Sequence, residues 1–544
     1  MTGLARTRAL ILTYAILSAA SYCALLPLWE GFDEFYHYAY VQSLSETLTF
    51  PVIGHAPVSR ELWTSLDFTP VSHFLQPYFQ RPTMSFEEYF RLSSDERRTR
   101  RAGLEAIDRG LRNQPSPRDN YEAKQAPLTY ALLAPLERVL ASAPLPFRVL
   151  TLRLLLGMST VILLWSGTRR LASLLHLLGA MEAAALFVIF SCQMLYSASC
   201  HIANDALLLP WFAFFLGAVI ASCEVPSVRR AALTGLLMAT GLLIKASVLI
   251  LVPLVFLAPA IVLFRHGRRA VMRSAGLGAV SAATLLALAG PWYLRNVVLY
   301  QNLTATNDTT AGIGPKELLQ AAVNLPWRES LAATAHTALW TGNNSFTSFS
   351  ASTLNIVLAL LALAVVLYVL RARRATPELV TLAAIALYSA GLLLTALSFF
   401  HATHGETNAP MPWYMQVLLA PVIAICFLGL SRWQPWGKWI TIVTIVLWAY
   451  VAAASWLAKL IPMYAGFADS RAHMRQLLSW YIESSAERNS FLSTLSPAPL
   501  SVLYTLLAAT LTALLASAMA TCFSLSRQPF KTLIAKQTEA PADR

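Results

Sequence analysis

Stretches of roughly 17 to 25 apolar residues, enough to cross a hydrocarbon layer about 30 Å thick, return along the whole of this 544-residue chain. About twelve are readable. They fall near 9–28, 147–167, 178–198, 204–223, 231–244, 246–264, 274–291, 352–370, 378–399, 413–431, 439–458 and 499–522, the fifth and sixth short and tightly joined. With 56% hydrophobic and 13% charged residues, too little polar surface is available to cover a soluble globule of this size. The expected fold is therefore an all-α polytopic membrane protein of about twelve spans.

Arginine and lysine orient it. Arg6/Arg8, Arg169/Arg170, Arg229/Arg230, Arg265/Arg268/Arg269/Arg273, Arg371/Arg373/Arg374, Arg432/Lys438 and Arg527/Lys531/Lys536 occupy alternate connections, as the cytoplasmic side requires. Both termini are then cytoplasmic. These short connections account for the net charge of +13 and face anionic lipid head groups; no dense basic tract interleaved with aromatics points to nucleic acid. The small residues Ala19, Ala20 and Ala24 imitate a signal-peptide cleavage site, but the length of the first run suits an uncleaved anchor. The six cysteines show neither CxxC nor metal spacing and read as small core residues. Sequons at Asn302, Asn307 and Asn343 fall on the external side and would permit glycosylation.

That side carries one very large loop, roughly 29–146, and smaller ones near 292–350, 399–412 and 459–498. Arg97, Arg98, Arg100 and Arg101 alternate with Asp95, Glu96, Glu105 and Asp108, so the large loop is expected to form amphipathic helices over the membrane surface. Ala126–Leu140 is apolar, too short to span and broken by Pro127 and Pro135, which suits an interfacial or re-entrant helix.

Four constellations could carry chemistry. Trp29 to His37 crowds Glu30, Asp33, Glu34 and His37 where the first helix leaves the membrane, and in a helix Asp33 and His37 would share one face, close enough to share a metal or a proton. The plainer account is an interfacial belt of charged and aromatic residues. Tyr121-Glu122-Ala123-Lys124-Gln125 sets a carboxylate and an ammonium before the interfacial helix, Lys124 being suited to a lipid phosphate; an idle surface ion pair is the alternative. Polar groups near the outer ends of spans follow: Arg153, Asn204-Asp205, Lys245 and Trp292-Tyr293-Leu294-Arg295-Asn296. A buried charge at membrane depth costs at least about 2.5 kcal/mol, which marks Lys245 as functional unless its turn is solvated. Asn204 and Asp205 could instead cap a helix, and Arg153 could snorkel beside Arg148. Last come His401, His404 and Glu406, with Met411-Pro412-Trp413-Tyr414.

In order along the chain these segments resemble the GT-C superfamily of polyprenyl-phosphate-dependent glycosyltransferases, especially its protein-mannosyltransferase and aminoarabinose-transferase-like members. Asp33-Glu34 with His37 looks like the family's first-loop Asp-Glu motif. Tyr121 to Leu128 is similar to its Glu-containing, Pro-Pro-Leu-Tyr-Tyr juxtamembrane segment. Asn204-Asp205, the Leu-Leu-Ile-Lys245 run, Trp292 to Asn296 and Trp413-Tyr414 follow in the family's order. The chain departs from it at Ala126, where a first proline is usual, at Lys124, where histidine is common, and at Trp413, where many members have arginine. The likeness covers most of the first 300 residues, implying a catalytic module over 1–298, including loop 29–146, and a variable region over 299–544.

The resemblance implies inverting transfer of a sugar from a polyprenyl-phosphate donor to a lipid, glycan or protein acceptor, at the external face of a bacterial inner membrane. Asp33 would be the general base, with Glu34 and Glu122 shaping the pocket. Lys124, Lys245, Arg295 and Arg153 would be candidates for the donor phosphate, and Asp33, His37 and Glu122 for a divalent metal ion. A transporter or flippase of a similar substrate is the rival class, weakened by the absence of a readable repeat and by ionisable residues gathered on one face. A non-catalytic binder of lipid-linked sugar is the third reading.

Overall fold

A computed structural model describes residues 3–305, 313–345, 347–405, 412–467 and 474–527. Every apolar run is helical, because inside a bilayer only a helix or a closed barrel satisfies each backbone N–H and C=O. Among the described residues nine helices are long and apolar enough to cross a membrane, or ten if Gly179–Ser191 and Gln193–Ser199, bent by 58°, form one span. The difference from about twelve lies in how two local features are counted. Val228–Ile244 has only 17 residues. Ala246–Tyr300 counts as one run of 55 residues, yet it doubles back at Gly267, where φ is +57°. Ser274 Oγ then donates to the Pro259 carbonyl at 2.8 Å, joining the two legs.

Small polar pairs fix how the spans meet. Gly3–Leu25 lies antiparallel to Leu500–Ser526, with Thr7 Oγ1 and Ser524 Oγ 2.9 Å apart near one end and Ser21 Oγ and Thr510 Oγ1 2.8 Å apart near the other. At Gly235 the helix Val228–Ile244 approaches Val271–Tyr300 so closely that a Cβ would lie 2.4 Å from the Ser281 carbonyl oxygen. The basic connections meet one another: Arg8 and Arg169 share Glu182, Arg432 pairs with Glu378, and Lys438 donates to the Ser526 carbonyl at 3.0 Å. The N-terminus of the first span and the last helix's C-terminus therefore lie at this basic end.

Residues 26–144 sit at the opposite end of the first span. They form the helix Glu34–Thr47, short helices that include Phe86–Arg91 and Ser94–Glu105, and the juxtamembrane helix Leu128–Val139. Ser85 with Glu88, and Ser93 with Glu96, make reciprocal capping boxes that start two of them. A two-stranded antiparallel ribbon, Pro57–Ser59 with Pro115–Asp119, adds strand pairing that the all-α expectation left out.

The loop domain is tied down by charges that sequence patterning assigns to the surface. Arg148, fully buried, donates to Glu137 at 2.5 Å and to Glu61, while Arg112 bridges Glu137 at 2.9 Å and Glu46 at 2.5 Å. Tyr38 OH donates to the same Glu137 at 2.8 Å. The network locks the juxtamembrane helix to Glu34–Thr47 and to the span Leu145–Leu174. Arg148→Met leaves buried Glu61 without its cation, Glu137 keeping Arg112, and should lower stability by about 3–5 kcal/mol, read as a lower unfolding temperature of the detergent-solubilised protein.

Candidate active site

The first span stops at Leu25, and Pro27, which has no N–H to donate, follows in the turn. Two non-glycine residues of that turn have left-handed backbone, Trp29 at φ 67° and Asp33 at φ 54°. For a bulky Trp this is a strained conformation, held by its indole N–H donating to Ser65 Oγ at 2.9 Å and by packing on Phe35. Arg153 pins the turn from below. Its Nη1 donates to the Leu26 carbonyl at 2.5 Å, its Nη2 to the Pro27 carbonyl at 2.9 Å and its Nε to Glu34 Oε1 at 2.6 Å. Nη2 also reaches Glu34 Oε2, and the Ile202 N–H adds a bond of 3.0 Å to Oε1.

Arg153 and Glu34 are both fully buried and engaged with each other. Burial opposes ionisation of Glu34, yet the Arg153 charge overrides it and holds the carboxyl below its usual range. The structure therefore places Arg153 in a structural pair, neither snorkelling nor open to a donor phosphate, and gives Glu34 the same duty.

Asp33 stands at the start of helix Glu34–Thr47, half-buried, and its Oδ1 accepts from Tyr121 OH at 2.5 Å. Asn120 brings the neighbouring segment into register. Its Nδ2 donates to the Tyr36 carbonyl at 3.0 Å and its Oδ1 accepts the Glu122 N–H at 2.9 Å, starting the short turn Tyr121–Lys124. Glu122 is buried with Oε2 unpartnered, so the surface ion pair considered above does not describe it. Lys124 stands close enough to counter its charge.

Lys245 fills the break where Val228–Ile244 ends and a 3-10 turn begins. It is buried, donates to both Asp205 oxygens at 2.7 Å and lies 4.1 Å above the Tyr414 ring. A solvated turn is thereby excluded. Asn204 Nδ2 donates to Gln125 Oε1 at 3.0 Å and to the Ile244 carbonyl at 3.2 Å, and its side chain does not cap the helix it precedes. Trp413 stacks on Phe32 at 4.1 Å. Residues from beyond position 298 thus enter the site.

Burial first, and then the charge of Glu122, raises the Asp33 carboxyl above its usual range; burial likewise raises Glu122, against the pull of Lys124. His37 is pushed down to about 4 by burial and is neutral near pH 7. Its Nδ1 lies 2.8 Å from Tyr130 OH, a phenol stacked on Tyr40. Among the described residues no group of three or more His, Cys, Asp or Glu side chains is placed to hold a metal ion, so Asp33, His37 and Glu122 do not converge as a ligand set. Arg295 lies apart, 4.6 Å over Trp292 and donating to the Phe50 and Pro51 carbonyls at 3.3 and 2.9 Å. Its described tie to the cluster is through Tyr40, whose phenol feels its charge.

No known family's sequence pattern matches the chain, and no curated protein does. Two solved structures align with it, both of ArnT from Cupriavidus metallidurans. The crystal structure bound to undecaprenyl phosphate gives a TM-score of 0.41 and 11% identity over 95% of this chain and 75% of that one. The apo crystal structure gives 0.38 and 12% over 85% and 73%. Likeness this slight decides nothing about function, which rests on the residues themselves.

Several residues had no role assigned from the sequence. Tyr121, Tyr130 and Gln125 earn their places only through contacts with Asp33, His37 and Asn204. His201 is another: buried, with Nδ1 unpartnered, edge-on to Phe32 and pushed down to about 4 by burial. The sequon at Asn343 is closed, since this fully buried side chain accepts from Tyr22 OH at 3.0 Å and Ser197 Oγ at 2.8 Å and donates to Tyr464 OH at 2.9 Å. Asn307, Glu406 and Met411 lie outside the described residues; His401 and His404 lie at the end of helix Thr376–Ala402 and in the turn after it.

A direct comparison separates structural from reactive charges. Arg153→Leu, which leaves Glu34 buried and alone, should cost about 3–5 kcal/mol of stability. Asp33→Asn, in a backbone conformation that Asn favours and with no buried charge left to desolvate, should keep or raise the unfolding temperature. Thermal unfolding of the two purified variants checks both.

Proposed function

We propose that this protein transfers a glycosyl group from a polyprenyl-phosphate-linked donor to an acceptor hydroxyl or amine, with Asp33 as general base. One observation carries the reading: Asp33, whose proton affinity is raised by burial and then by the charge of Glu122, shares a site with Glu122, Lys124 and Lys245 where the first span ends. That is the level at which a lipid-borne phosphate and its sugar would lie, and the positive-inside count puts it on the non-cytoplasmic face.

Chemically the site divides in two. Asp33, its proton affinity raised by burial and yet partly exposed, is suited to take the acceptor's proton as the new bond to the anomeric carbon forms. The bond from that carbon to the phosphate oxygen breaks on the opposite face, its electron pair leaving with the phosphate. Lys124 and Lys245 meet that charge, Lys245 being held in place by Asp205 and Tyr414. Glu122 keeps Asp33 basic, and Tyr121 orients it through Oδ1.

Purified protein given a radiolabelled polyprenyl-phosphate sugar should form glycosylated product and release lipid phosphate. Asp33→Asn should cut the rate by about 100-fold or more while remaining folded; normal turnover by that variant removes Asp33 from the role. Because the base acts ionised and its pKa is raised, the rate should climb with pH through a midpoint above about 3.9, the ordinary aspartate value. Glu122→Gln removes a like charge, lowers the Asp33 pKa, and should move that acidic limb to lower pH. Passage of intact donor across a vesicle membrane, indifferent to Asp33, would assign the site to transport instead.

A further inference from the structure

At the basic end, away from the candidate active site, an open groove of about 710 Å³ runs between the start of Gly3–Leu25 and the end of Leu500–Ser526. Ligand pockets commonly span about 300–1,000 Å³, so the space is sufficient for a lipid segment. Its walls include Leu4, Leu10, Met519 and Phe523, and its rim carries Arg6 and Arg527. Both arginines are exposed, and among the described residues neither has a carboxylate partner. Arg527 lies 4.0 Å over the Phe523 ring, where an apolar wall meets the charge. Nearby, Arg8 and Arg169 share the single carboxylate of Glu182, which leaves this corner with an excess of positive charge.

An apolar trough that opens at the end of a transmembrane bundle takes an acyl chain readily. The uncompensated guanidiniums above it select what that chain is attached to, because a guanidinium fork matches a phosphate and prefers a headgroup of net negative charge. We propose that this groove binds an anionic phospholipid, its phosphate at Arg6 and Arg527 and an acyl chain along Leu4, Leu10, Met519 and Phe523. The site is distinct from the Asp33 cluster and independent of the transfer reaction.

Native mass spectrometry of the full chain in detergent, titrated with dioleoylphosphatidylglycerol and separately with dioleoylphosphatidylcholine, tests it without any activity assay. One phosphatidylglycerol should be retained roughly 25-fold more tightly than phosphatidylcholine, the effect of two basic residues facing an anionic headgroup. Arg6→Gln with Arg527→Gln should erase the difference, while Arg268→Gln with Arg269→Gln, exposed basic residues elsewhere, should leave it intact. Ala516→Phe in the groove wall should weaken both lipids, and unchanged thermal unfolding of the variants shows that the fold survives. Equal retention of the two lipids, or retention indifferent to the arginines, overturns the proposal. So does competition by glycerol phosphate alone, which would make this a free-phosphate site, or a dimer that the same substitutions dissolve, which would give the groove to a second copy.

Discussion

Arg153 is a fully buried guanidinium. It reaches across from the span Leu145–Leu174 to hold the carbonyls of Leu26 and Pro27 and both oxygens of Glu34, so one side chain sets where the first span ends and where the helix Glu34–Thr47 begins. Desolvating such a pair is expensive, and its geometry has to be nearly complete to offset the cost. That demand is what makes it a good anchor: any shift of the turn strands a buried charge. The left-handed backbone at Trp29 and Asp33 persists because this anchor and the packing of Trp29 over-determine it. Asp33 is consequently delivered at one place, next to the segment that carries Glu122.

A second tier of buried charge performs the same service for that segment. Glu137 on the juxtamembrane helix is gripped by Arg112, Arg148 and Tyr38, and Arg148 extends the grip to Glu61. The residues just ahead of that helix, from Asn120 to Gln125, then have little freedom. The two tiers share no residue, but both start from arginines of the same span, five positions apart. Positioning is therefore assigned to Arg148 and Arg153, while the charges facing the site are Asp33, Glu122, Lys124, Asp205 and Lys245.

Within the site the carboxylates exceed the cations, since Asp33, Glu122 and Asp205 face Lys124 and Lys245 while His37 is held neutral by burial. Repulsion between Asp33 and Glu122 is stored in raised proton affinity, a common device for keeping a carboxylate basic in a site that must also attract an anion. The groove at the other end of the bundle shows the opposite imbalance, with arginines outnumbering carboxylates among the described residues.

What the sequence determined by itself was the solvent, the topology and the candidate charges. Apolar run length and the alternation of arginine-rich connections are local and periodic, so the helices and the pairing of basic ends were legible, as were Asp33, Glu122, Lys124 and Lys245 as a set. Run length also separated the short helix Val228–Ile244 and the two legs that meet at Gly267, although it could not show how they pack. Only the tertiary structure decided which charge is paired with which. Arg153 and Arg295 look alike in the sequence, each a cation near the outer end of a span, yet one is paired with Glu34 while the other donates Nη2 to the Phe50 and Pro51 carbonyls and keeps a buried Nη1 without a partner among the described residues. The physical reason is that a charge is spent or available according to its partner, and these partners lie 119 and 245 positions away, a separation that no local pattern encodes.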